Sequence, residues 1–172
     1  MSNVKAGGQA GILAGLIYAV VEAAAVVTLL VAFKSDVIEV ISSELPSRTA
    51  ASVNAEYNLL IATDAVVAVA FGIILGLALG LVYGAFSDRI PGRPGVTKGL
   101  VFGFILWLIL HVLADYFGNL KYGLTFYLVD IGLGLATSLV YGALLAIFFE
   151  REMKKLAAPG PSTAAHAVDS AR

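Results

Sequence analysis

Four apolar stretches, at about residues 8–33, 57–87, 96–118 and 122–149, dominate the chain. Each is long enough to cross about 30 Å of hydrocarbon as a helix rising about 1.5 Å per residue. Lipid offers no partner to backbone N–H and C=O groups, so a spanning segment is either a helix or a strand of a closed barrel, and the alternation of barrel strands is absent. The sequence therefore predicts an all-α, polytopic membrane protein: a bundle of four transmembrane helices. Composition agrees, with 59% hydrophobic and 13% charged residues and a mean hydropathy of +0.91, outside the range of soluble domains.

Small residues recur at four-residue spacing within these stretches. The series are Gly7, Gly11, Gly15, Ala19 and Ala23; Ala68, Gly72, Gly76, Gly80 and Gly84; Gly95, Gly99 and Gly103; and Gly134, Ser138, Gly142 and Ala146. Residues four apart lie on one ridge of a helix, and small ones let two backbones approach closely in lipid, where no hydrophobic effect drives association. These ladders predict helix packing within the bundle, between copies in a homo-oligomer, or against other membrane subunits. The word Leu81-Val82-Tyr83-Gly84-Ala85 recurs as Leu139-Val140-Tyr141-Gly142-Ala143, and Gly15–Ala19 answers Gly99–Gly103 more weakly. Two repeated hairpins would produce this pattern, and so would convergence of glycine-rich apolar words. Both readings stand at this level.

Lys5, Arg89, Arg93, Lys98, Arg151, Lys154 and Lys155 flank one side of the spans, and Lys34, Arg48 and Lys121 flank the other. The positive-inside rule puts the first set, and with it both termini, in the cytoplasm, for a multi-pass protein of the plasma membrane. The first stretch reads as a retained helix rather than a secretory signal, because Glu22 interrupts it and no small-residue cleavage site follows Phe33-Lys34. A net charge of −1 gives no attraction to nucleic acid. Residues 34–56 form the one long outer connection, in which Ser35–Glu39 resembles a capping box and Val37, Ile38, Ile41 and Leu45 follow helical spacing. They predict a short amphipathic helix, either lying on the membrane surface or prolonging the first helix. The tail 157–172, with Pro159, Gly160 and Pro161, has no apolar period and is expected to be disordered in the cytoplasm.

The word Ile90-Pro91-Gly92-Arg93-Pro94-Gly95-Val96-Thr97-Lys98-Gly99-Leu100-Val101-Phe102-Gly103, followed by Trp107, resembles one found in small uncharacterised four-helix membrane proteins of archaea and bacteria. The resemblance covers mainly the second to fourth helices. It implies a tight cytoplasmic turn followed by a close-packing helix, and it carries over no activity and no catalytic residue.

Ionisable residues inside a bilayer are costly, about 2.5–3.5 kcal/mol each at the helix centre on insertion scales, so each needs a partner or a purpose. The candidates are Glu22, Asp64, His111, Asp115 and Asp130. Counted from the outer ends of their helices, Asp64, His111 and Asp130 share one depth, Glu22 lies deeper and Asp115 shallower. Every helix contributes one, so the five can converge in the outer half, and His111 can meet Asp115 one turn away.

Such a set is either internal glue or a proton- or cation-binding site. Metal binding is its weaker version, because no Glu-x-x-His or His-x-x-x-His spacing occurs. Cysteine is absent, which removes disulfides and thiolate ligands, and His111 is the only histidine in the apolar stretches, which argues against haem. No cofactor is expected. The inner half offers mainly Tyr18, Tyr83, Tyr141 and Ser138, a thin polar path, while Tyr57, Tyr122, Phe126 and Tyr127 read as an outer aromatic belt. No nucleophile motif or phosphate-binding loop is present. The expected function is that of a non-enzymatic structural or accessory membrane subunit or oligomer, with a small proton- or cation-coupled transporter as the alternative.

Overall fold

Apolar length becomes helix length in the computed structural model, which describes residues 2–44, 47, 49–93, 95–114 and 118–158. In chain order the helices are α1 (Ser2–Ala32), α2 (Lys34–Glu44), α3 (Ala50–Phe86) and α4 (Val96–Trp107), which runs on as a π-helical segment, Leu108–Ala114. A short 3₁₀ turn, Leu120–Tyr122, precedes α5 (Leu124–Ala157). No strand occurs among the described residues. Four helical spans, Asn3–Ala32, Ala50–Phe86, Val96–Ala114 and Leu124–Ala157, are long and apolar enough to cross a membrane. Their outward faces carry large apolar side chains, among them Leu16, Val20, Val66, Ile74, Leu113 and Leu128, a coat suited to hydrocarbon.

Two helices overrun their apolar stretches. α3 starts at Ala50 rather than near 57, with the Thr49 hydroxyl accepting from the Ser52 N–H at 3.4 Å as an N-cap, and α5 continues to Ala157 rather than ending near 149. Hydropathy marks the slab of hydrocarbon, whereas a helix continues for as long as its backbone and caps permit. The expected outer connection 34–56 therefore consists largely of α2 and the first turns of α3. Of the expected tail 157–172, Ala157 ends α5 and residues 159–172 lie outside the described ones.

α2 follows α1 after a single residue. Phe33 donates to the Leu29 carbonyl at 3.0 Å and accepts from the Val37 N–H at 3.1 Å, so helical bonding is carried through the break. The Leu30 carbonyl, which Lys34 would reach in an unbroken helix, accepts instead from the Tyr57 hydroxyl at 3.1 Å. α2 then buries Val37 and Ile41 in a cluster with Leu29, Leu30, Val53, Tyr57 and Phe126 at this end of the bundle.

α1 and α3 run antiparallel in close backbone contact, as do α4 and α5, and α1 also packs on α5. A Cβ placed on Gly11 would meet the Gly76 carbonyl, and one on Gly80 would lie 2.5 Å from Gly11 Cα. Gly15 and Gly72 face Gly76 and Ala19 in the same way, and Gly84 faces Asn3 and Gly7. In the second pair Gly99 faces Gly142, and Gly103 faces Ser138. By contrast α3 and α4 make no extended backbone contact among the described residues; side chains join them. Tyr83 of α3 meets Phe102 of α4 and Phe149 of α5 edge to face, each at 5.3 Å between ring centres. These rings belong to the principal core, with Ala10, Ala14, Leu106, Tyr141, Leu145 and Ala146, at the end of the bundle away from α2.

Candidate functional site

A cavity of about 430 Å³ lies between this core and the α2 end. α1 supplies Tyr18 and Glu22, α3 supplies Asp64, the π segment supplies His111, and α5 supplies Asp130, so four of the five candidate ionisable residues line one space. Asp115 lies outside the described residues. Asn119 and Tyr122, from the turn before α5, complete the polar wall. Among the described residues no lysine or arginine lines the cavity, and three carboxylates and an imidazole share it with apolar and aromatic side chains.

Asp130, Glu22 and His111 are held differently. Asp130 accepts from Asn119 Nδ2 at 2.8 Å. Glu22 Oε2 is shut off from solvent and has no hydrogen-bond partner among the described residues. His111 is only 6% exposed, and its ring packs against Gly134, where any Cβ would overlap the imidazole. Gly134 thus accommodates a ring, where Gly142 on the same helix accommodates the backbone of Gly99.

The π segment sets where His111 points. A wider turn leaves carbonyls displaced from regular α partners, and π turns recur at functional sites. Here the Val112 carbonyl accepts from the Tyr127 hydroxyl at 2.9 Å. One turn earlier, Trp107 Nε1 donates to the Ile131 carbonyl at 2.9 Å. Both bonds tie the third span to α5 on either side of the imidazole.

The cavity has a floor, a roof and an open side. Below it, Tyr18 and Tyr141 meet edge to face at 5.3 Å, and Tyr141 donates to the Gly76 carbonyl at 3.2 Å. A space of about 10 Å³ adjoins those rings among Leu79, Leu106, Leu110 and Ser138, too little for more than one water. Above it, Lys121 bridges to Glu44 of α2 at 3.4 Å and lies 5.0 Å from the centre of the Tyr122 ring. Partial burial works against the Lys121 charge, but Tyr122 and the Glu44 contact outweigh it and hold the ammonium above its usual pKa. At the side, Val67 and Phe71 of α3 line the cavity and are 48% and 59% exposed.

Sequence reasoning had no means of finding Asn119, a polar residue in a turn, or the π segment. No three of the His, Asp and Glu groups among the described residues are close enough to share one metal ion. What the chamber can do is accept positive charge, as protons on its carboxylates or as a cation between them.

Fold and cavity together define an all-helical chain with four helices of membrane-spanning length around an acid-lined, one-ended chamber. The chain belongs to DUF6789, a family of unknown function, whose family model matches residues 2–158. No curated protein and no solved structure matches it.

Proposed function

We propose that the chain is a non-enzymatic, multi-pass protein of the plasma membrane that binds a cation or protons in the chamber between its four spans. One observation carries this: each span supplies a titratable side chain to a single cavity, three of the four being carboxylates. Three carboxylates gathered at membrane depth are expensive, and a bound cation or protons reduce that cost. Glue would spend these groups on one another, yet a Glu22 oxygen is buried without a partner among the described residues. The coupled-carrier form of this reading needs the tyrosine floor to open, whereas a binding or sensing role does not.

The architecture is read as two hairpins, α1–α3 and α4–α5, each fastened by a glycine ladder, repeated about an axis along the membrane normal. The opposed glycines Gly11 with Gly76, and Gly99 with Gly142, support the ladders, while the repeat rests on the recurring sequence words alone, since Gly84 faces Gly7 where its counterpart Gly142 faces Gly99. Excess Lys and Arg at the terminal end supports a cytoplasmic location for both termini.

The test is thermal unfolding of the protein in lipid nanodiscs as pH and inorganic cations are varied, for wild type and a Glu22→Gln, Asp64→Asn, Asp130→Asn triple variant. A ligand at a hundredfold its Kd stabilises by about 2.7 kcal/mol, a readily measured shift. Wild type is expected to respond and the triple variant not to. An identical response from both refutes the proposal. So does absence of any response in a wild type recovered from its own membranes with stoichiometric foreign subunits, which points to the accessory-subunit role.

A further inference from the structure

We infer that the preferred ligand of this chamber is a lipophilic ammonium ion: a protonated amine carrying an apolar or aromatic substituent and no anionic group. The inference rests on the cation-binding reading and specifies the class of cation. The volume of about 430 Å³ is far more than a bare ion needs and lies within the range of small-molecule sites. No three of the titratable groups among the described residues are placed to hold one metal ion. Spacing of that kind suits a charged head group with several N–H donors, each reaching a different acceptor.

The rest of the lining has a different character. Phe71, Val67 and Leu75 of α3 and Phe126 of α5 form apolar wall, and Tyr18 adds an aromatic ring of the kind that attracts ammonium groups. Phe71 and Val67 are also the exposed residues at the side where α3 and the third span lack extended backbone packing. That side faces hydrocarbon, so a ligand can place its charge among Glu22, Asp64 and Asp130 and lay its apolar part along Phe71 toward the lipid. The packed tyrosine floor closes the opposite route. A phospholipid amine fits less well, because its phosphate would accompany the ammonium into a chamber that already holds three carboxylates.

The experiment compares benzylammonium with methylammonium and sodium by calorimetric titration, using the full chain in phosphatidylcholine nanodiscs. Wild type, Asp64→Asn and Phe71→Ala are measured in parallel. Benzylammonium is expected to bind wild type at least tenfold more tightly than methylammonium. Phe71→Ala should remove most of that preference, weakening benzylammonium far more than methylammonium, and circular dichroism checks that the variant, altered at an exposed position, is folded. Asp64→Asn should weaken both amines, which separates binding in the chamber from partition into lipid. Equal affinity for the two amines, or sodium binding better than either, with Asp64→Asn still weakening it, overturns the lipophilic class and leaves the cation site standing. Binding that ignores Asp64→Asn for every cation overturns both.

Discussion

Asn119 donates its side-chain amide to Asp130 at 2.8 Å, tying the turn before α5 to a carboxylate in the cavity wall. A hydrogen bond to a charged group contributes about 1.5–3 kcal/mol in favourable settings. Asn119→Ala should therefore lower the unfolding free energy by about 1–2 kcal/mol and weaken cation binding, whereas Asn119→Gln should recover part of both. Chemical denaturation and titration of the same samples check this.

Opposed glycines make a graded prediction. Gly76→Ala places a methyl 2.5 Å from Gly15 Cα, and backbone cannot move aside as a side chain can. The cost should be at least the 1–3 kcal/mol typical of overpacking, about the upper end of that range. Gly132 of α5 has nothing within 4 Å of where its Cβ would stand. Gly132→Ala should be neutral, or stabilising by up to about 1 kcal/mol from helix propensity. Thermal midpoints of the two variants, measured side by side, should differ clearly in that order.

Tyr57→Phe removes the donor that satisfies the Leu30 carbonyl at the break between α1 and α2. Amides of α2 should exchange faster with deuterium while those around Leu145 and Ala146 keep their protection. Equal acceleration in both regions would show that the bond supports the whole bundle rather than the break.

The Lys121–Glu44 pair joins α2 to the cavity roof, yet its side chains are 47% and 59% exposed. Exposed pairs contribute at most about 1 kcal/mol. Glu44→Gln should leave the unfolding midpoint almost unchanged, even at low salt where surface pairs are strongest.

The four spans were legible because hydrocarbon imposes a length that the apolar runs reproduce. The meeting of Glu22, Asp64, His111 and Asp130 around one cavity was legible as well, since counting residues from helix ends measures depth when the helices stand roughly parallel. What hydropathy could not register were features decided outside or between the spans. The start of α3 at Ala50 depends on a cap at Thr49, in a stretch rich in polar residues. Asn119 resembles any turn asparagine until its partner is known. The π segment around His111 has the same composition as an α-helix, and Trp107, Tyr127 and Gly134, far apart in sequence, fix its place against α5.

Tyr83 meets Phe102 through rings, while Gly11 meets Gly76 and Gly99 meets Gly142 through main chain. Backbone contact has no slack, since neither side can rotate out of the way, whereas two rings at an edge can slide. With α1 also packed along α5, the side between α3 and α4 is the compliant one, and the chamber's side opening lies along it. In a bilayer, lateral pressure would act first on that side, and the width of the opening would then depend on the membrane as well as on the chain.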